Sequence, residues 1–182
     1  MTLESGLESG HWQEVSAPAT PRLVTIRRDL DLWAGEQPIE TYGSKTVLDY
    51  EGRPAFAELA ILWTLTDAGW DGAWVDTFGG RYRSGFWDNA PDVVLPAHVL
   101  ELLSRIGTRA GGHGGAFDVV AWRGASVVFV EAKRCGRDRL RASQRRRMAA
   151  AEAEGAVLLL VEWEARSPAR GTGSSARVGS TG

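Results

Sequence analysis

The chain has 182 residues, 43% of them hydrophobic, with eight Trp and a formal net charge of −2. That length and apolar content suit one domain with a substantial core and exclude a low-complexity or fibrous chain. A single cysteine, Cys135, excludes an intramolecular disulfide framework and a Cys-rich zinc site, and the lack of a long apolar run or signal-peptide pattern points to a cytoplasmic protein with no membrane partner.

Residues 1–21 are polar and rich in Gly, Ser and Pro, which reads as a mobile leader. Leu23-Val24-Thr25-Ile26-Arg27 suits a short strand, and mixed signals from Asp29 to Tyr50 assign no element. Residues 22–53 are expected to pack on the core as an N-terminal extension, ahead of a main domain over 54–164. Pro54 to Thr66 reads as a helix with Pro in its first turn, ended by Ala68-Gly69. It is apolar nearly all round and therefore buried, and its one charge is Glu58. That carboxylate either sits near an exposed first turn, where an acid suits the helix dipole, or is buried, where it must be paired, protonated or bound to a metal.

Gly72 to Phe78 predicts the first core strand, with Trp74, Asp76 and Phe78 on one face. Gly79 to Pro91 reads as a loop that interleaves aromatics with Arg. Such loops can stack on unpaired bases, but aromatics mostly serve burial, and that is the preferred reading. Asp92 to Ile106 gives a short apolar run and an amphipathic helix ended by Gly107, with His98 as a packing or surface residue. Thr108 to Gly115 is a Gly-rich approach in which His113 most simply has no chemical role.

Two β-branched runs follow, Phe117 to Trp122 and Val127 to Val130, divided by Arg123-Gly124-Ala125-Ser126. They predict a hairpin with a type II′ turn, Gly124 at its first central position. That register pairs Arg123 with Ser126 and, counting down both strands, Asp118 with Glu131. Cross-strand partners share a face, and alternation puts Lys133 on it too. Two facing carboxylates repel unless a cation joins them, and Mg²⁺ is commonly held by one or two carboxylates plus water and phosphate. The plain alternative is an exposed ion-pair patch, which is common and weak. Against it, the chain has 19 Arg but only two Lys, Lys45 and Lys133, so a lysine at this place is notable.

Arg139 to Glu154 predicts a second core helix, with Leu140, Gln144, Met148 and Ala151 on one stripe and Arg141, Arg145 and Arg146 on flanking faces. From Lys133 to Arg147 eight residues are positive and one negative, so this window carries +7 and the remainder −9. That asymmetry is either a solvated basic helix face or a surface for a polyanion. Gly155 ends the helix, Ala156 to Glu164 predicts a buried strand, and 165–182 reads as a disordered tail.

Asp118 followed by Glu131-Ala132-Lys133 resembles the D…(D/E)-x-K signature of the PD-(D/E)XK nuclease superfamily. Val128-Phe129-Val130-Glu131-Ala132-Lys133, then Asp138-Arg139-Leu140, then Ser143-Gln144, is similar to the VRR-NUC branch, whose pattern runs close to F-V-E-V-K-G-P-x-D-R-L-x-x-x-Q. The likeness is strong over 116–163 and faint over 55–78. It departs from the family at Arg134-Cys135-Gly136-Arg137, one residue longer than the usual Gly-Pro linker. Pro91-Asp92 also spells the superfamily's "PD" but lies 39 positions before Glu131, off the hairpin.

The resemblance implies an α/β restriction-endonuclease-like core, a mixed β-sheet flanked by helices. It implies a Mg²⁺- or Mn²⁺-dependent endonuclease on DNA, and suggests structure-specific action on branched or flap substrates. Asp118 and Glu131, with the Ala132 carbonyl and Glu58, would hold metal; Lys133 would position the attacking water; Gln144 would orient the site. Arg134, Arg137, Arg139, Arg141, Arg145 and Arg146 would bind backbone phosphates. The alternatives are a non-catalytic nucleic-acid-binding module and a partner-dependent subunit of a repair or defence assembly. A homodimer and other nucleic-acid-processing proteins are the further partners this reading admits.

Overall fold

A computed structural model describes residues 13–15, 23–36, 45–77, 79–86, 92–112 and 116–167. Its elements in chain order are β1 (Gln13–Val15), β2 (Leu23–Asp31), β3 (Leu48–Tyr50), β4 (Arg53–Ala55), α1 (Ala57–Asp67), β5 (Asp71–Asp76), β6 (Arg81–Arg83), α2 (Ala97–Arg109), β7 (Val119–Arg123), β8 (Ser126–Arg134), α3 (Ala142–Ala153) and β9 (Val157–Arg166). Phe78, Pro91, His113, the tail from residue 168 and most of the leader lie outside the described residues.

A mixed sheet of order β1-β2-β9-β8-β7-β5-β6 forms the centre. The β7–β8 hairpin is its organising piece. Arg123 faces Ser126 and Val119 faces Val130, the register expected from the turn. Gly124 has φ 59°, and Ala125 is not among the positive-φ residues, as a type II′ turn requires. Strand β9 runs parallel to β8 on one side and to β2 on the other, with α3 as the β8–β9 crossover. Parallel neighbours on both sides explain its continuous apolar run, Leu158 to Val161, all buried.

Helices cover both faces. On one, α1 buries Leu59, Ile61, Leu62 and Leu65 against Val119, Val128, Val130 and Leu159. On the other, Val99 and Ile106 of α2 and Met148 and Ala151 of α3 close over Val120, Phe129 and Leu158. With about 1.5–3 kcal/mol for each fully buried large apolar side chain, these two layers hold the sheet rigid where the hairpin ends.

Several expectations need correction. Residues 22–53 do not merely pack on the core. They add β2 to the sheet along nine paired positions, Leu23↔Leu158 to Asp31↔Arg166. That same pairing carries β9 beyond Glu164 to Arg166, so Ala165 and Arg166 are strand, not tail. Gln13–Val15, read as leader, pairs with β2. Pro54 does not start a helix. It lies in β4 of a separate two-stranded sheet with β3, and α1 begins three residues later, after Phe56. A proline, which lacks a donor, is tolerated in so short a ribbon. Arg81–Arg83, read as loop, forms β6 because the buried Asp76 of β5 accepts a 3.2 Å bond from Arg83 Nε. Helix α2 passes through Gly107 to Arg109 and ends before Gly111, whose φ is 74°. Helix α3 begins at Ala142, not Arg139, because the linker turn occupies the intervening residues.

Candidate active site

The site lies where β8 runs past the start of β7. Asp118 immediately precedes β7, and its backbone is held on both sides: its N–H donates to Val130 O at 3.0 Å and its carbonyl accepts from Val75 N–H at 2.9 Å. Its side chain turns toward β8, where Oδ2 accepts the Ala132 N–H at 2.8 Å. Glu131 and Lys133 project from β8 on the face covered by α2 and α3, two residues apart as strand alternation requires. Lys133 Nζ donates to Glu131 Oε1, donates to the Ala132 carbonyl at 3.1 Å, and lies 4.0 Å from Asp118 Oδ2. One ammonium therefore touches both carboxylates.

Gln144 comes from the first turn of α3. Its Oε1 accepts the Arg141 N–H at 2.9 Å, and its Nε2 donates to Glu131 Oε1. The side chain caps its own helix and ties that helix to the carboxylate. The longer linker does not displace it. Gly136 takes φ 70°, and Asp138 Oδ2 accepts the Arg134 N–H at 2.9 Å, which closes the turn between β8 and α3.

The electrostatics set these groups apart from a surface ion-pair patch. Glu131 is only 1% exposed, and its Oε2 is buried with no hydrogen-bond partner. Burial pushes its carboxyl pKa up, while the Lys133 ammonium and the Gln144 amide, both bonded to Oε1, oppose the rise. The Asp118 carboxyl is pushed up to about 8, first by burial, then by the charges of Glu131 and Glu58, against Lys133 and the Ala132 N–H. Two acids that cannot both ionise comfortably, one with an orphaned buried oxygen, fit a divalent cation as a shared partner. Among the described residues no three Asp, Glu, His or Cys side chains group closely enough to hold one ion. The protein thus offers two carboxylates and leaves other places to carbonyl, water or phosphate oxygens.

Glu58 sits in the first turn of α1 with its side chain 18% exposed, and its carboxylate is ion-paired with Lys45. It lines the same open cleft of about 670 Å³ as Asp118, Lys133, Gln144 and Ser143. Arg137, Arg139 and Arg141 also line this cleft. The other proposed phosphate contacts lie elsewhere. Arg145 and Arg146 are exposed on α3, and Arg146 borders a small groove with Arg109. Arg134 is half-buried over the Trp163 ring at 5.2 Å, with its guanidinium donating to Thr46 Oγ1 at 3.0 Å, so it serves packing first. In the aromatic loop, Phe86 packs edge-on against Phe56, which supports burial over base stacking. Asp92 pairs with Arg81 at 3.6 Å and bridges Arg83 of β6.

Sequence reasoning passed over Lys45. The only signal it offered was rarity, as one of two lysines beside 19 arginines. Comparison with protein-family models, curated proteins and solved structures finds no match to this chain. The functional reading therefore rests on the chemistry of these side chains. No helix among the described residues is long and apolar enough to cross a membrane.

Proposed function

We propose that this chain is a metal-dependent nuclease of the PD-(D/E)XK type, closest in motif to the VRR-NUC branch, with a restriction-endonuclease-like core and DNA as its substrate. The observation that carries this is the convergence of Asp118, Glu131, Lys133 and Gln144 around one buried, partly unsatisfied carboxylate in an open, Arg-lined cleft. Asp118 and Glu131 would hold Mg²⁺ or Mn²⁺, beside the Ala132 carbonyl. A divalent ion there supplies charge that polarises a phosphoryl oxygen and acidifies bound water. The chain's own groups do the rest. Lys133, anchored on Glu131, presents its remaining N–H toward a water or phosphate oxygen as a compact point charge. Gln144 fixes the rotamer of Glu131 and, through its bond to Arg141, the start of α3. Arg137, Arg139 and Arg141 draw backbone phosphates to the cleft. Branched or flapped DNA as the preferred substrate is what the resemblance to the VRR-NUC branch suggests.

The test is incubation with labelled single-stranded, duplex, flap and four-way DNA, and with RNA counterparts, in Mg²⁺, Mn²⁺ or chelator. Cleavage that needs metal and is lost in Lys133→Ala and Asp118→Asn is expected. Equal cutting by wild type and both variants would assign the activity elsewhere. Binding without cleavage would assign the chain to a non-catalytic nucleic-acid-binding role.

A further inference from the structure

The two lysines of this chain border two adjoining depressions that share Glu58, and each is bound to a carboxylate. Lys133 holds Glu131; Lys45 holds Glu58. Glu58 lies on the wall shared by the main cleft and a second depression of about 350 Å³, which Lys45, Arg134 and Arg137 border. The Lys45 ammonium is fixed on three sides. It is bonded to Glu58 and lies over the buried ring of Phe56 at 4.7 Å and near that of Trp74 at 5.9 Å. Its side chain is still 30% exposed, so the charge is both anchored and reachable. An ammonium has three donors, and Glu58 takes one. A guanidinium there would engage the carboxylate with a planar fork and aim its donors differently.

We propose that Lys45 occupies the second-cation position of the cleft: its ammonium, fixed on Glu58, binds a substrate phosphate oxygen, and one divalent ion on Asp118 and Glu131 suffices. This rests on the metal-dependent nuclease reading above. It reassigns Glu58. A carboxylate on the first core helix, near enough for its charge to act on Asp118, would extend the acidic pair to three; here a lysine from the segment before β3 neutralises it. Among the described residues no three-acid group forms, and the two ammoniums lie on either side of the Glu58 wall, Lys133 in the main cleft and Lys45 in the adjoining depression. The residues before the main domain thus contribute to the site as well as to the sheet.

The charge-neutral double variant Lys45→Met/Glu58→Gln separates this role from a structural ion pair and from metal ligation by Glu58. Mn²⁺ binding is counted by the resonance of free Mn²⁺ in the full chain, beside steady-state cleavage of a labelled flap. One Mn²⁺ per wild-type chain is expected, abolished by Asp118→Asn. The double variant keeps that ion with Kd within about threefold, while kcat falls about 100-fold, the loss typical of one charge-stabilising donor. Two ions in the wild type, a tenfold or greater loss of Mn²⁺ affinity in the double variant, or an unchanged kcat overturns the proposal. The wild-type count needs no variant, so a double variant that fails to fold leaves the proposal open to refutation. A wild type that binds no Asp118-dependent Mn²⁺ sinks the nuclease reading itself, which the other outcomes leave standing.

Discussion

Replacing Asp118 by Asn in chelator should stabilise the protein at alkaline pH and do little near pH 5. In the folded chain the Asp118 carboxyl titrates at about 8 against an ordinary 3.8, because it is buried beside Glu131 and Glu58. Between those values the native state holds a proton that the unfolded state has released. Stability therefore falls as pH rises through the window, with a slope of up to about 1.4 kcal/mol per unit. Below pH 4 the group contributes nothing, and above pH 8 the whole penalty applies. The ceiling is roughly 6 kcal/mol. The realised value is smaller, since the side chain is 27% exposed and Lys133 lies within ion-pair range. About 2 kcal/mol is a reasonable working figure, or roughly 4–8 °C in Tm for a chain of this size. Asn removes the titration, and its amide oxygen can still accept the Ala132 N–H. The assay is thermal melting of wild type and Asp118→Asn from pH 5 to pH 9, with and without Mg²⁺. The difference should grow with pH in chelator and shrink or reverse in Mg²⁺, which stabilises only the wild type. A variant destabilised equally at all pH values would refute the reasoning.

Three further outcomes test the site piece by piece. Lys133→Ala should lower kcat by at least about 100-fold with DNA affinity within a few-fold, and Lys133→Arg should not rescue it, because a planar guanidinium cannot replace an ammonium wedged between two carboxylates. Gln144→Ala removes both a helix-end bond and a donor to buried Glu131, so chemical denaturation should report a loss of about 1–3 kcal/mol with reduced cleavage. Arg137→Gln, Arg139→Gln and Arg141→Gln should each lower the slope of log affinity against log salt by about 0.7–0.9 without moving Tm, measured by anisotropy of labelled DNA. Arg134→Gln should do the reverse, costing stability through its lost contacts with Trp163 and Thr46.

What the sequence made legible was local. The hairpin register followed from one glycine at a turn and two alternating runs, and it was enough to place Asp118, Glu131 and Lys133 together. That Gln144 faces the hairpin's end followed from helical spacing; its role at the site was only implied by the family pattern. What stayed hidden depends on distant partners. Nothing in Leu23–Asp31 states that it will lie along β9, more than 130 positions later. Arg81–Arg83 looks like a loop until the buried Asp76 is known to receive Arg83. Gly107 looks like a helix end, but in open space in the helix's last turn it costs no more than about 1 kcal/mol, which packing by Val99 and Ile106 outweighs. Lys45 is the same case at the site, since its partners Glu58, Phe56 and Trp74 meet it only in the folded chain.

The energetics also argue against a merely decorative arrangement. An exposed cluster of Asp, Glu and Lys would be solvated, weakly coupled and nearly neutral in its effect on stability. Here the carboxylate of Glu131 is almost wholly removed from water, two donors converge on one of its oxygens and none reaches the other. Apolar residues of similar size at these positions would hold the sheet better. A fold that keeps a buried acid, and then devotes a backbone N–H, a lysine and a helix-capping glutamine to orienting it and its neighbour, carries the pattern expected of a functional site, in line with the proposed role. The same logic ranks the arginines. Arg134, built into an aromatic contact, belongs to the scaffold; Arg137, Arg139 and Arg141, turned to an open cleft, add charge only where a polyanion would lie.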